Sequence, residues 1–149
     1  MSPEQYTDYL HRSIPLTAAM AIRVRRLDAD CVEIRAPLPP NRNHHGTAFG
    51  GSLATLAILS GWTLVQRGLD TAGITAKLMV QRSECDFLAP AEVDFVAESR
   101  FAGEAEWPRF IEQLHHRGRA RIAVDIRIHA DAGVAMRTRA IYAAIRSEA

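Results

Sequence analysis

The chain predicts an α+β fold, an antiparallel sheet of about six strands wrapped around one long apolar helix. Three observations carry that reading. Gly46 to Val65 is a run of twenty residues without a formal charge. Segments of two-residue apolar alternation stand on both sides of it. Strands with one polar face need cover on the other, and the uncharged run is the segment suited to supply it.

The elements follow in order. SPEQYTDYLHR reads as a short helix, with Ser2 at the N-cap and Pro3 in the first turn, and Ile14-Pro15 ends it. AMAIRVRRL and CVEIRAP alternate with period two, and the intervening DAD suits a turn, so they read as a hairpin. Pro37, Pro39 and Pro40 stop the ladder. The apolar helix is expected from about Gly50 to Val65. ITAKLMVQRSECDFL reads as a long strand whose alternation falters through Gln81-Arg82-Ser83-Glu84, the mark of a bulge. AEVDFVAESRF is a further strand. EAEWPRFIEQLHHRG carries Trp107, Phe110, Ile111 and Leu114 at helical spacing, with Gly118 placed for a C-cap. RARIAVDIRIHAD and GVAMRTRAIYAAIR form a closing hairpin around Asp131-Ala132-Gly133.

Composition narrows the function classes. The 149 residues suit one domain, 1–149, with its own core. A net charge of +1 gives no support for nucleic-acid binding. Cys31 and Cys85 have neither metal-ligand spacing nor a C-x-x-C pattern, so a reducing, cytoplasmic setting is expected. The N-terminus carries acids and no apolar stretch of the signal-peptide kind. The uncharged run is long enough for a bilayer, but its glycines, serines and threonines and the lack of flanking cations or aromatic anchors make it a buried core helix instead. The sequence holds no metal-ligand cluster, P-loop or dinucleotide fingerprint, and no metal or cofactor is expected.

Two motifs carry a family resemblance. N-H-H-G-T-A-F-G-G-S-L-A-T-L-A, from Asn43 to Ala57, resembles the N-x-x-G-x-x-x-G-G-x-x-x-x-L-A element of hotdog-fold thioesterases. C-D-F-L-A-P-A, from Cys85 to Ala91, is similar to that family's D-[FY]-L-x-P-A strand ending. With the leading helix and final hairpin the resemblance covers nearly the whole chain, and it is nearest to the thioesterases resembling the C-terminal domain of YiiD-type proteins. It implies a homo-oligomer, a dimer or dimer of dimers (homodimer or homotetramer) with ligand tunnels between subunits. It also implies acyl-CoA or acyl-carrier-protein thioesters as substrates.

Thioester hydrolysis needs an activated water and donors for the oxyanion that forms at the carbonyl. Backbone amides at a helix N-terminus supply such donors, and Gly50 and Gly51, lacking Cβ, let a thioester approach them. The same glycines also suit a tight turn against the sheet. Asn43 has an amide that suits orienting water or the carbonyl, or closing its own loop. His45, two residues after the motif's Asn, matches the histidine of many relatives and is the candidate base, while His44 is the more exposed neighbour. Gly46, Thr47 and Phe49 complete the loop as candidate substrate contacts. The resemblance breaks at two positions: Phe49 and Ile58 stand where many hotdog thioesterases have a histidine and an Asp or Glu, and no acid occurs from Asn41 to Gly68. Ser60 and Thr55 are candidate water holders, or helix hydroxyls bonded back to the preceding turn. Asp86 or Glu84 are candidate carboxylates across a dimer. Arg82, Arg117 and Arg119 suit either CoA phosphates or a solvated face. Two further functions stay open: an acyl-thioester hydratase or dehydratase, which the missing acid disfavours, and a binder without turnover, which Ile58 favours.

Overall fold

The computed structural model describes residues 1–131 and 133–148. Ala132, the middle of the expected final turn, lies outside the described residues. Helix α1 spans Pro3–Ser13, and its start is closed by a capping box. The Gln5 amide donates to Ser2 Oγ at 3.2 Å, and the Ser2 amide to Gln5 Oε1 at 2.9 Å. Tyr6, Thr7 and Leu10 are its buried side, and the Thr7 hydroxyl accepts from the Val24 amide at 2.9 Å, tying the helix to the first strand. Ser2→Ala is expected to lower stability by about 1 kcal/mol in urea unfolding, the usual effect of losing such a cap.

A five-residue helix α2, Pro15–Ala19, follows directly. It takes up Ala19 from the expected first strand, Met20 caps it, and Ala21 turns the chain at a φ of 55°. Strand β1 therefore starts at Arg23 and runs to Leu27, paired with β2, Val32–Ala36, as the expected hairpin. The prolines end this ladder in a 3-10 turn, Pro39–Asn41. Helix α3 spans Gly50–Thr71, about two turns longer than expected. Leu69 is buried, and Gln66 bonds to Asp70 at 2.8 Å, so the polar residues after Val65 form an exposed last turn rather than an exit.

Strand β3, Ala76–Phe87, has its register shift between Val80 and Arg82, in the stretch where alternation falters. Strand β4 is Phe95–Phe101, helix α4 is Glu106–Arg117 with Gly118 at φ 72° as its C-cap, and β5 and β6 are Arg119–Ala130 and Gly133–Arg146. Among the described residues these strands form one antiparallel sheet in the order β1-β2-β4-β5-β6-β3. Ile122, Val124, Ile126 and Ile128 on β5 and Met136, Thr138, Ala140 and Tyr142 on β6 are buried on the inner face. That face curls around α3, which packs against β2, β3, β4, β5 and β6. Among the described residues β1 and β3 are the two edges of the sheet, each paired on one side only. No helix among the described residues is long and apolar enough to cross a membrane.

Candidate active site

The loop before α3 is built from two asparagines with different tasks. Asn41 is buried; its Nδ2 donates to the carbonyls of Met20 at 2.9 Å and Pro37 at 2.8 Å, and its own carbonyl accepts from the Phe49 amide at 2.7 Å. The Ala48 amide donates to the Ala91 carbonyl at 2.8 Å, so the loop is pinned at its base to the segment after β3. Asn43 takes the loop-closing role. Its Oδ1 accepts from the amides of His45 at 2.8 Å and Thr47 at 3.2 Å, and its Nδ2 donates to Thr47 Oγ1 at 2.9 Å. Of its two expected roles the side chain makes the loop-closing one, an Asx-type turn, while the second Nδ2 proton meets no acceptor among the described residues. Gly46, at φ 81°, and Thr47 serve the same turn.

The helix start itself is open. Phe49 is the N-cap, extended at φ −63° and ψ 132°, and offers no side-chain cap. The amides of Ser52 and Leu53 bond to the Phe49 carbonyl at 2.9 and 3.1 Å. The amides of Gly50 and Gly51 meet no acceptor among the described residues. Two donors thus remain at the positive end of a 22-residue helix, where partial charge favours an anion. Two aromatic rings border them, Phe49 and Phe87, each 57% exposed. A Cβ built on Gly50 would stand 3.6 Å from Phe87 Cε1, and one on Gly51 would meet the Phe49 ring at 2.3 Å. The result is a polar donor pair in an apolar frame.

His44 and His45 are exposed with their rings 3.8 Å apart, and neither ring makes a hydrogen bond among the described residues. Thr55, one helical turn on from Gly51, is half-buried and its hydroxyl bonds to nothing in the described chain, so the expected back-bond is not made.

Three expected site residues lie elsewhere. Ser60 is fully buried near the middle of α3 and donates to Ser99 Oγ at 3.0 Å, which fastens helix to sheet; it is no water holder at the helix start. Arg82 pairs with Glu84, and both project from β3 on the face opposite Ser83 and Cys85, which sit across from buried Ala140 and Thr138. Asp86 shares that outer face, opposite Arg137. Strand alternation thus removes Arg82 and Asp86 from the helix side of the sheet. Phe87, whose side chain does reach Gly50, is in the sequence only part of a strand ending; tertiary packing gives it this place.

Cross-strand pairing also gathers Cys31, Glu33 and Glu98, whose ligand atoms lie within 4.8 Å of one another. Sequence spacing could not reveal this, since β2 and β4 bring them together. Arg26 stands 3.7 Å from Glu33, and Arg100 and His129 stand 3.5 and 3.3 Å from Glu98. Burial pushes the Glu98 carboxyl up, but the His129 hydrogen bond and the Arg100 charge outweigh it and leave the group below the usual carboxylate range. Burial holds the Cys31 thiol up, away from the thiolate a metal needs. The cluster is a charge-compensated ladder.

A long helix held in the curl of an antiparallel sheet, opening at a Gly-Gly N-terminus, defines the hotdog fold class. Within it the chain belongs to the family described as "Putative thioesterase (yiiD_Cterm)", whose model matches residues 4–146. The chain is similar to a protein of unknown function from Chlorobaculum tepidum, with 24% identity, a TM-score of 0.90 and 98% of each chain covered. It is also similar to a Pseudomonas aeruginosa protein described as "Probable Thioesterase", at 24% identity and a TM-score of 0.83, covering 98% of this chain and 97% of that one. A "putative thioesterase" from Shewanella oneidensis aligns at 21% identity and a TM-score of 0.81 over 96% of each chain. At these identities the structural likeness carries the fold.

Proposed function

We propose that the protein hydrolyses acyl thioesters, acyl-CoA or acyl-ACP, at the start of α3. The observation that carries this reading is the pair of free Gly50 and Gly51 amides at the N-terminus of a long helix. The thioester carbonyl oxygen accepts from these amides, and the bond tightens as the oxygen becomes an anion. Water attacks the carbonyl carbon, the C–S bond breaks, and the sulfur leaves with the proton that the base took from water. The products are a free acid and a free thiol, and the reaction calls for no cofactor or metal. His45 is the base in this reading, since its ring nitrogens are unengaged and no carboxylate stands on the first turns of α3. Phe49 and Phe87 hold the apolar acyl chain, with His44 at the rim of the site.

The site is completed by a second copy. β3 is an edge strand paired on one side only, and Met79, Val80, Phe87 and Leu88 expose large apolar side chains along and just beyond it. Edges of this kind are templates for strand pairing, and exposed apolar groups of this size favour burial. The pairing gives a homodimer with β3 at its centre, able to assemble further into a tetramer. A cytoplasmic location fits the two free thiols.

The test is release of free thiol from a panel of acyl-CoAs of increasing chain length. His45→Ala is expected to lower kcat on the best substrate by about 10²–10⁴-fold, the range for loss of a general base. A His45→Ala protein with undiminished turnover would remove that residue from the mechanism. The reading of a binder without turnover is favoured by Ile58 in place of an acid and by the lack, among the described residues, of a partner orienting the His45 ring. It predicts thermal stabilisation by acyl-CoA with no thiol released by the wild-type protein.

A further inference from the structure

The outer face of the sheet has two ends of opposite character. Beside the β5–β6 turn, Arg127, Arg137 and Arg139 are interleaved with Glu84, Asp86 and Asp125 around one shallow cavity. Arg139 grips Asp125 with two hydrogen bonds of 2.7 and 3.0 Å. That is what a solvated, self-neutralised strand face looks like. At the other end, two arginine-bearing stripes converge on a trough whose lining holds no acid. Helix α4 presents Arg109, Gln113 and Arg117, spaced four apart and so on one face, and β5 presents Arg119 and Arg121, two apart and so on one face.

Between them lies a trough of about 550 Å³ with no carboxylate among its lining residues. Its floor is apolar, since Arg119 and Arg121 are paired across the ladder with Ile145 and Ala143 rather than with acids. An adjoining cavity of about 510 Å³ shares Gln81, Arg109 and Arg121. Its one carboxylate, Glu106, is already engaged by Arg109 at 3.0 Å and by the Ala123 amide at 2.9 Å. Arg117, Arg119 and Arg121 form no ion pair among the described residues. Like charges at this spacing repel, and a bound polyanion relieves the repulsion.

We infer that this trough binds a small anion carrying two or more phosphate groups. Guanidinium groups match phosphate oxygens with paired hydrogen bonds, and three unpaired arginines exceed what one carboxylate or one phosphate requires. The trough would bind such an anion whether or not the protein cleaves thioesters. The thioesterase reading supplies one source of such a ligand, the phosphates of coenzyme A, and free nucleotides or diphosphate supply another.

The test is calorimetric titration of the full-length protein with coenzyme A, adenosine 3′,5′-bisphosphate and inorganic diphosphate, at low and at moderate salt. At least one of the three is expected to bind, more weakly as salt rises. Arg119→Gln/Arg121→Gln, both exposed positions, is expected to weaken that binding at least tenfold and flatten its salt dependence, with the melting temperature held. Preference among the three probes identifies the source. Hydrolysis of an N-acetylcysteamine thioester, which has no phosphate, is expected to be the same in both proteins. Absence of binding by all three probes overturns the inference, as does undiminished binding by the double variant. So does arginine-dependent capture of an acidic carrier protein without binding of any free phosphate probe. Arginine-dependent binding in a protein that cleaves no thioester sustains the trough and defeats the hydrolase reading, so the two failures are distinguishable.

Discussion

Gly61→Ala is expected to destabilise the protein by about 2 kcal/mol, although alanine is the better helix former by about 1 kcal/mol. Gly61 lies on the side of α3 that faces β6, and a Cβ there would stand 2.3 Å from the Tyr142 hydroxyl and 2.9 Å from its ring carbon Cζ. Tyr142 is fully buried and cannot swing into solvent. Its hydroxyl donates to the Ile58 carbonyl at 2.7 Å, with the Trp62 amide beside it, so the phenol is inserted at the helix backbone. Adding a methyl group displaces that ring from a packed core and strips a buried hydroxyl of its partner, each a larger effect than the gain in propensity. Urea unfolding of Gly61→Ala, Tyr142→Phe and the double variant checks this. Removing the hydroxyl takes away the nearest clash, so Gly61→Ala should cost less in the Tyr142→Phe background. A Gly61→Ala protein as stable as wild type would show that α3 can shift away from β6.

The fold was legible where one physical rule acted alone. The Ser2 cap, the bulge after Val80, the Gly118 cap and the alternation of β5 and β6 all follow from local patterns. Misjudged boundaries mark places where tertiary contacts override such patterns. α2 is five residues long, too short to show helical periodicity, and it took its last residue, Ala19, from the segment that alternates into β1. The β4 ladder begins at Phe95 because Asp94 turns its carboxylate to Arg35 and to the Leu38 amide.

The candidate site was legible in part for the same reason. A glycine pair opening an apolar helix can be read from sequence, since it depends on residues adjacent in the chain. The roles of Asn43, Ser60, Arg82 and Asp86 could not be. Asn43 has several acceptors within reach of its amide, and only folding selects Thr47. Ser60 meets Ser99, 39 residues away. The faces of Arg82 and Asp86 follow from the register after the bulge, because an extra residue there inverts the alternation.

Hydrolysis at this site depends on one hydrogen atom above others, the amide proton of Gly50. Proline at the first position of a helix is tolerated, and it removes that proton while leaving the fold intact. Phe49 already has the extended backbone that a residue before proline requires. Gly50→Ala is the matched control, because its Cβ would meet Phe87 at an ordinary 3.6 Å and the amide would remain. The decisive measurement is kcat of these two variants on the best acyl-CoA, with their melting temperatures alongside. Gly50→Pro is expected to turn over about 10²–10³-fold more slowly than Gly50→Ala, which carries the same added Cβ but keeps the amide proton. A folded Gly50→Pro protein turning over as fast as Gly50→Ala would contradict the role of that amide.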